Sequence, residues 1–370
     1  MSEERYRTAL LDWLACAAGG RDEPAARAAR RVGDRVAAAG TAGHVLDFDD
    51  TYLPGIAHLS APTAPAALAV AAELGLDASA ALGAYTAGFE AMGALARAGH
   101  PVLYDRNWHP TALCGGVGAA VAAAALLGAP RDDSVALALL RASGLRAAFG
   151  SHGKSLQVGL AASSGVEAAR LAAAGARVPL EPVARGYEAA TGGTYAEPDP
   201  ERPAVEQNWI KAWPCCLQTH GAIEAAAGIR DGAPERLTVR VHPVSLQAAA
   251  HGPEPLDGLQ AKFSIPYLTA FTLMHGPPRV ESFKSVLPEV VERARLIEVE
   301  PDAELLESEF VLTNDGGELA RVKAALGSPQ QPMDADALRL KTERLGGADL
   351  AAALDDLDRP AADLLDLAGL

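Results

Sequence analysis

The sequence predicts a mainly α protein, in which a large all-helical domain is interrupted by a smaller α+β domain. Apolar residues recur at helical spacing from Tyr6 to about Gly175, and most of these segments end at Gly or Pro. Apolar and polar residues alternate from about residue 234, as in a half-buried strand, and helical spacing returns over residues 332 to 370. With 370 residues, of which 49% are hydrophobic, the chain is long enough for a substantial core.

The first part of the chain contains five main predicted helices. Their sequences are RYRTALLDWLACAAG, APTAPAALAVAAELGL, SAALGAYTAGFEAMGALARAG, TALCGGVGAAVAAAALLGA and DSVALALLRASGLRAA. Alanine dominates their contact faces, which favours close packing in a bundle. Asp132 and Asp133 precede Ser134 and are predicted to cap the fifth helix. Residues 114–130 are apolar but fall short of the roughly 20 strongly apolar residues of a membrane span, so we interpret them as a buried helix.

The α+β domain begins where the pattern changes. ERLTVRVHPV predicts a strand, KFSIPYLTAFTLMHG a helix, and RLIEVEP a second strand. FVLTNDGGELARVKAAL predicts two further strands joined by a turn at residues 314–317. The last segment, residues 332–370, is predicted to form helices that rejoin the first domain. We therefore assign residues 1–215 and 333–370 to the helical domain and 216–332 to the α+β domain.

Charge and cysteine content narrow the class of protein. The formal net charge of −15 argues against nucleic acid as a partner, although a small anionic substrate can still bind in a locally positive pocket. The four cysteines form neither a CxxC pair nor zinc-type spacing, which favours a reducing compartment. The acidic, polar N-terminus lacks the order of a secretory signal. We therefore expect a cytoplasmic protein with no membrane association.

Five segments concentrate polar residues in apolar or glycine-rich surroundings. They are Asp47 to His58, Asn107 to Thr111, Gly150 to Gly159, Trp213 to His220 and Lys262 to Tyr267. Most lie where predicted helices begin, and loops held by a rigid scaffold often carry function. Each residue alone also has a structural explanation: His109 and His44 fit core histidines, Lys154 a solvated charge, and Tyr267 a core aromatic.

The acidic stretch VLDFDDTYL has two rival chemical interpretations. Its Asp-x-Asp-x-Thr pattern matches the nucleophile motif of the haloacid-dehalogenase phosphatases, in which Asp47 would attack phosphorus. That motif requires a parallel sheet, whereas helices are predicted around it here. A metal site would need carboxylates and histidines at ligand spacing in a later segment, and none pairs them. We therefore predict no metal.

Taken in this order, the five segments resemble the MmgE/PrpD family, which includes 2-methylcitrate dehydratase, cis-aconitate decarboxylase and iminodisuccinate epimerase. The resembling stretches are GHVLDFDDT, AHLSAPTAPAALA, WHPTALCGGVGAAVAAAALLG, GKSLQVGLAASSGVEAA, WPCCLQTHGAIEAA and KFSIPYLTA. They cover the chain from about residue 9 to 345. The resemblance implies a large helical domain, an α+β lid, a homodimer, an active site between the two domains, and no metal or organic cofactor.

The same resemblance implies a set of site residues. The implied catalytic residues are Asp47, His58, His109, Lys154, His220 and Tyr267, and the predicted substrate-binding residues are Thr51, Lys154, Gln157 and Lys262. The family's substrates are small di- or tricarboxylates in which a bond beside a carboxylate breaks and leaves carbanion character. A lysine and imidazoles can stabilise that charge and move the proton.

Some roles within this set follow from the same chemistry. We expect Asp47 to orient an imidazole and Tyr267 to donate from the lid, whereas Asp49 and Asp50 are expected to cap and position the turn. Which histidine is the base and which the acid is left open.

Two departures from the family pattern affect these expectations. The segment between the first helix and the acidic motif is short and reads RDEPAARAARRVGDRVAAAGTAG. Relatives have a longer helical stretch there, so oligomeric contacts are expected to differ. Gln157 also stands where relatives often have His, which bears on substrate identity.

The leading prediction is a cofactor-independent lyase, most simply a 2-methylcitrate dehydratase-like hydro-lyase of a small polycarboxylate. A cis-aconitate-like decarboxylase and an iminodisuccinate-like epimerase are alternatives within the family. A phosphatase and a non-catalytic, ligand-binding helical protein are alternatives of other classes.

Overall fold

A computed structural model describes residues 2–370, which divide into two compact units. The helical unit runs to Ala148 and also contains His152–Ile210 and Asp334–Leu370. The α+β unit comprises Phe149–Ser151 and Lys211–Met333. It begins at Lys211, whereas the sequence predicted a boundary at 216. Within this unit the Cys216 N–H donates to the Lys262 carbonyl at 3.0 Å. The Phe149 ring likewise packs 5.6 Å from that of Phe263.

Helices dominate the described residues, which confirms the predicted mainly α class. The helices are α1 Ser2–Gly20, α2 Pro24–Val32, α3 Arg35–His44, α4 Ser60–Glu73, α5 Ala78–Gly99, α6 Val102–Asp105, α7 Pro110–Leu127, α8 Arg131–Leu139, α9 Gly153–Ala173, α10 Leu180–Thr191, α11 His220–Ile229, α12 Pro243–Ala248, α13 Gly258–Ala261, α14 Ile265–His275, α15 Pro288–Ala294, α16 Ala335–Arg344, α17 Leu350–Asp355 and α18 Ala361–Ala368. The strands are β1 Thr51–Tyr52, β2 Asn208–Trp209, β3 Leu237–Val241, β4 Ile297–Pro301, β5 Phe310–Asn314 and β6 Gly317–Val322.

Helix α9 packs closely against both α7 and α3, and glycines allow this. A Cβ at Gly165 would lie 2.3 Å from the Gly116 carbonyl oxygen, and one at Gly159 would lie 2.2 Å from the Ala37 carbonyl oxygen. No real Cβ approaches a backbone oxygen so closely, so only glycine permits this backbone-to-backbone contact. The contact sets the separation between α3, which ends at His44, and the first turn of α9.

Helix α7 matches a membrane span by length and composition alone. Its 18 residues are strongly apolar on average, but 78% of them are buried inside the protein. Its neighbours are α4, α5, α8 and α9, which cover it on several sides. The prediction of a buried core helix for this segment is therefore confirmed.

The predicted cap of the fifth helix is wrong. Helix α8 begins at Arg131, so Asp132 and Asp133 lie inside its first turn. Asp133 instead accepts a hydrogen bond from the Val178 N–H at 2.8 Å.

Helix α8 ends at Leu139, and the chain from Gly144 runs antiparallel to residues 107–109. There the His109 N–H donates to the Gly144 carbonyl at 3.1 Å.

The α+β unit contains a four-stranded sheet in the order β4-β3-β5-β6. Strand β3 is parallel to β4 and antiparallel to β5, and β5 pairs with β6 as an antiparallel hairpin. The predicted strands and the turn between β5 and β6 are therefore confirmed. Helix α11 packs on this hairpin, where a Cβ at Gly221 would lie 2.2 Å from the Phe310 ring.

The last helices return to the helical unit, and one of them contacts the acidic loop. Lys341 on α16 pairs with Asp12 on α1 and donates to the Phe48 carbonyl at 2.8 Å. Its Nζ also lies 3.9 Å from the centre of the Phe48 ring. Both charged side chains are buried. We call Asp12, Phe48 and Lys341 the loop anchor.

Candidate active site

The acidic loop begins with an unusual backbone conformation. Helix α3 ends at His44, whose carbonyl accepts from the Asp47 N–H at 3.1 Å. Asp47 has a φ of +54°, in the left-handed region that non-glycine residues rarely adopt. Such a conformation persists only where the surroundings enforce it. The next residue, Phe48, belongs to the loop anchor, and its buried contacts with Lys341 fix the strained turn.

Five side chains of the helical unit form a closed ring of polar contacts. Lys154 Nζ donates to His44 Nε2 and to Asp47 Oδ1, both at 3.0 Å. Asp49 Oδ2 lies 2.9 Å from His44 Nδ1 and 3.1 Å from His58 Nδ1. His58 Nε2 closes the circuit at 3.7 Å from Asp47 Oδ1. We call these five residues the ionisable ring.

The Asp49 carboxylate determines the tautomers of two histidines. Burial alone would raise the pKa of Asp49, but His44 and His58 outweigh it and hold that pKa well below its usual range. An ionised carboxylate only accepts hydrogen bonds, so both Nδ1 atoms carry protons. Burial lowers the pKa of His44, which keeps that ring neutral and leaves its Nε2 to accept from Lys154. His58 is thereby held with Nε2 turned towards Asp47.

His109 lies beside the ionisable ring. It occupies the cap position of α7, and its ring centroid is 6.2 Å from that of His44. Burial lowers its pKa well below the usual value, and the Lys154 charge adds to that effect. Thr111, two residues on, accepts from the His58 N–H at 3.1 Å and so ties the acidic loop to α7. Gln157 contacts His109 Nδ1 at 2.6 Å.

Asp50 has a different role from its neighbours. It is fully buried and accepts from the N–H of Ser60, the first residue of α4, at 3.3 Å. Burial, and then the charges of Asp49 and Asp12, raise its pKa to about 8. Asp50 is therefore mainly protonated at neutral pH and accepts a hydrogen bond at the start of α4, whereas Asp49 lies between two imidazoles.

The raised pKa of Asp50 predicts a pH-dependent stability difference. The unfolded carboxyl ionises near its ordinary pKa of 3.8, so between pH 4 and 8 the folded state binds more protons and stability falls as pH rises. Asp50→Asn removes this slope of about 1.4 kcal/mol per pH unit. The variant should thus gain about 2 kcal/mol relative to the native protein between pH 6.0 and 7.5, measured by urea unfolding. The exposed Asp132→Asn serves as the control, and a pH-independent difference for Asp50→Asn would refute the prediction.

Three members of the ring also have metal-ligand spacing. Each offers one ligand atom, and these three atoms, from His44, Asp49 and His58, lie within 4.8 Å of one another. All three come from residues 44–58, so no later segment is needed to complete a ligand set, in contrast to the expectation from sequence. Two imidazoles and a carboxylate suit zinc chemically. The Asp49 oxygen is already within hydrogen-bond distance of both nitrogens, which accounts for the spacing without a metal.

The remaining predicted residues lie in the α+β unit. His220 begins α11 with its ring 5.0 Å from that of Trp213, and Tyr267 lies on α14, which packs against α11. The Tyr267 hydroxyl accepts from the Leu287 N–H at 3.0 Å. Lys262 Nζ lies 5.0 Å from the Phe283 ring centre. The catalytic and binding roles of His220, Lys262 and Tyr267 stay predictions.

The structure brings Asp47, His58, His109, Lys154 and Gln157 together, with Thr51 at the end of the acidic loop. His44 and Asp49 belong to the same group but were not expected there. Asp49 lies closer to an imidazole than Asp47 does, because Asp47 pairs with Lys154 at 3.0 Å and reaches His58 only at 3.7 Å; the orienting role expected for Asp47 stays a prediction. His44 lies three residues before Asp47 at a helix end, a spacing that could have identified it. Lys211, a buried lysine of the α+β unit, was also not singled out.

Comparisons with known proteins cover most of the chain. A family model described as the MmgE/PrpD N-terminal domain matches residues 36–192, and the MmgE/PrpD C-terminal domain matches residues 213–364. Human cis-aconitate decarboxylase is 29% identical over 296 residues, which cover 70% of this chain and 60% of the relative. The mouse enzyme is 28% identical over 346 residues, covering 82% and 69%. Cis-aconitate decarboxylase of Aspergillus terreus is 27% identical over 66% of this chain and 59% of the relative. The chain thus spans about 60% of the length of the human and fungal relatives.

Proposed function

The chain belongs to the MmgE/PrpD family, and on that basis we propose that it is a lyase acting on a small di- or tricarboxylate. The observation that carries the proposal is the buried ionisable ring, which places an ammonium next to imidazoles that a carboxylate orients. Breaking a bond beside a carboxylate leaves negative charge on a poor electron sink. Fixed donors in a buried site stabilise that charge more strongly than water does.

The ring suggests a role for each of its members. His58 is the proton-moving imidazole, because its Nδ1 lies 3.1 Å from the Asp49 carboxylate, which favours the ring proton there and makes Nε2 the basic atom. Asp49 acts as the orienting acid of a triad does. Lys154 provides the positive charge that stabilises the carbanion, and Asp47 and His44 fix its position. These assignments give His58 the base role that the sequence left open.

Substrate binding requires more than the ring. The ring contains two carboxylates and one ammonium, so by itself it does not attract several anionic groups. Thr51 is buried, and among residues 2–370 its hydroxyl oxygen has no hydrogen-bond partner, which supports its predicted role as a substrate contact. Lys262 is retained in the proposal as a cationic contact, as are His220 and Tyr267 as catalytic residues. A homodimer and a cytoplasmic location are likewise proposed from the family resemblance.

Among the lyase reactions, the relatives favour decarboxylation of a cis-aconitate-like substrate. The curated human, mouse and fungal relatives all have the name cis-aconitate decarboxylase. Dehydration of a 2-methylcitrate-like substrate, the simplest prediction from sequence, is the second candidate, and epimerisation is the third. All three share a carbanion step and differ in what leaves or returns.

The phosphatase alternative lacks structural support in the helical unit. The Asp-x-Asp-x-Thr motif leads into β1, a two-residue strand whose partner β2 is antiparallel. Among the described residues of this unit there is no parallel sheet around Asp47. A phosphatase of that type would also require magnesium, so a chelator separates the two functions.

A substrate panel in deuterated water tests the proposal. The purified protein is incubated with cis-aconitate, citrate, 2-methylcitrate and iminodisuccinate isomers and followed by proton NMR. We expect loss of carbon dioxide from cis-aconitate, with deuterium incorporated into the product. New vinyl signals from a hydroxy acid would indicate dehydration, and deuterium at an inverted centre would indicate epimerisation. Turnover should persist in EDTA, whereas complete loss on chelation would point to the His44–Asp49–His58 group as a metal site. Absence of any reaction or exchange would overturn the assignment to these substrates.

A further inference from the structure

The side-chain amide of Gln157 is held in one orientation by the backbone of Leu145. Its Oε1 accepts from the Leu145 N–H at 2.9 Å, and its Nε2 donates to the Leu145 carbonyl at 3.2 Å. A backbone N–H can only donate and a carbonyl can only accept, so the amide cannot be flipped. Both ends of the side chain are therefore used inside the protein. This differs from the predicted role of Gln157 as a substrate contact.

The segment that holds Gln157 is itself fixed. The Gly144 carbonyl accepts from the His109 N–H at 3.1 Å, and the Arg146 N–H donates to the Asn107 carbonyl at 3.0 Å. Gly144 has a φ of +127°, and a Cβ there would lie 2.5 Å from that of Ala112. Only glycine fits this position. Leu145 is thus anchored on both sides, directly beside the residue that Gln157 contacts next.

The orientation of Gln157 determines the tautomer of His109. The Gln157 Nε2 group lies 2.6 Å from His109 Nδ1 and can only donate, so Nδ1 must carry the lone pair. The ring proton of neutral His109 is then on Nε2. Protonating Nδ1 would place two N–H groups against each other at that distance. The histidine consequently has a donor at Nε2 and a blocked acceptor at Nδ1.

Burial and the ionisable groups around His109 also disfavour an imidazolium. Lys154 on α9 and the rings of His44 and His58 lower its pKa, in addition to burial, and only Asp47 acts in the opposite direction. The second imidazole of the site, His58, has the reverse arrangement. Asp49 Oδ2 lies 3.1 Å from its Nδ1, which favours the proton on Nδ1 and makes Nε2 the basic atom. The two histidines are therefore polarised in opposite senses by their partners.

We propose that Gln157 is a positioning residue that locks His109 as a neutral Nε2–H donor to a substrate oxygen. Under this arrangement His58 moves protons, while His109 only donates a hydrogen bond to the carboxylate on which negative charge develops. The substrate part rests on the proposed function, whereas the tautomer lock does not. A neutral donor can stabilise the negative charge that develops on the substrate without transferring a proton to the substrate.

Nitrogen-15 NMR of labelled histidines reads the tautomer directly, and a His109→Asn sample assigns the signal. In the native protein we expect the Nε2–H tautomer from pH 6 to 8. Gln157→Glu keeps the shape of the side chain but replaces the donor with an acceptor, so His109 should change to a form protonated on Nδ1. Turnover should fall at least tenfold, and the pH profile should gain a new ionisation. Gln330→Glu introduces the same charge at an exposed position and should change none of these readouts.

The outcomes separate this inference from the proposed function. A native His109 protonated on Nδ1, or a tautomer that does not respond to Gln157→Glu, would overturn the tautomer lock even if the substrate panel reacts. If the panel does not react, the NMR signals still decide whether the lock exists. Gln157→Leu removes the donor without adding an acceptor and should give a mixture of tautomers, whereas a single unchanged Nε2–H form in that variant would assign the lock to another group.

Discussion

Lys154→Ala is expected to lower kcat on the productive substrate by about 10²- to 10³-fold, the usual effect of removing one preorganised donor from a site of developing charge. Lys154 supplies the ammonium of the ionisable ring and contacts His44 and Asp47 at 3.0 Å each. Its loss removes positive charge from the site and the donor that His44 Nε2 faces. Steady-state kinetics with the substrate identified by the panel measures the effect.

A second variant keeps this test interpretable if the single variant unfolds. Lys154→Ala leaves the Asp47 carboxylate buried without its ion-pair partner, which is strongly destabilising in many proteins. The double variant Asp47→Asn/Lys154→Met removes both charges and should fold, as judged by circular dichroism, while remaining inactive. Arg170→Ala, on the exposed surface of the same helix, should retain activity. A folded double variant with native turnover would exclude Lys154 from the chemistry.

Lys341→Met is expected to destabilise the helical unit by about 3 to 5 kcal/mol, the range observed when one partner of a buried ion pair is removed. Asp12 would be left as a buried carboxylate, and the Phe48 carbonyl would lose its donor. Urea unfolding at neutral pH, followed by circular dichroism, measures the change. The helical unit is the part to monitor, since a chain with two units need not unfold in one step.

Two further variants distinguish the ion pair from a general effect on α16. Asp12→Asn/Lys341→Met removes both charges and should recover most of the lost stability. Arg339→Met, on the same helix, breaks only exposed contacts with Asp336 and Glu343 and should cost less than about 1 kcal/mol. Equal losses for Lys341→Met and Arg339→Met would contradict the loop anchor.

The sequence predicted the architecture better than the detailed site. Helical spacing located α1, α4, α5, α7 and α8, and alternation located the strands of the α+β unit, because both patterns are local. The cap of α8 was predicted wrongly because Asp133 finds a partner in the distant Val178. Long-range partners leave no trace in the local pattern of a single sequence.

The same limit explains what was missed at the site. Three aspartates in four positions indicate a special loop, but only the backbone of that loop decides which carboxylate faces an imidazole. With Asp47 in the left-handed region, Asp49 lies between His44 and His58, and Asp47 contacts Lys154. His44 alone is indistinguishable from a core histidine. The contact between Lys341 and Phe48 joins residues 293 positions apart.

The loop anchor has a consequence for the order in which the protein is made. Asp12 and Phe48 precede the inserted α+β unit in the chain, whereas Lys341 follows it. During synthesis the N-terminal helices emerge first, and domains tend to fold as they emerge. The acidic loop, however, lacks its interior cation until every residue of the insert has been translated. The helical unit can therefore assemble early, but its acidic loop gains the contacts of the loop anchor only after the second unit has been synthesised.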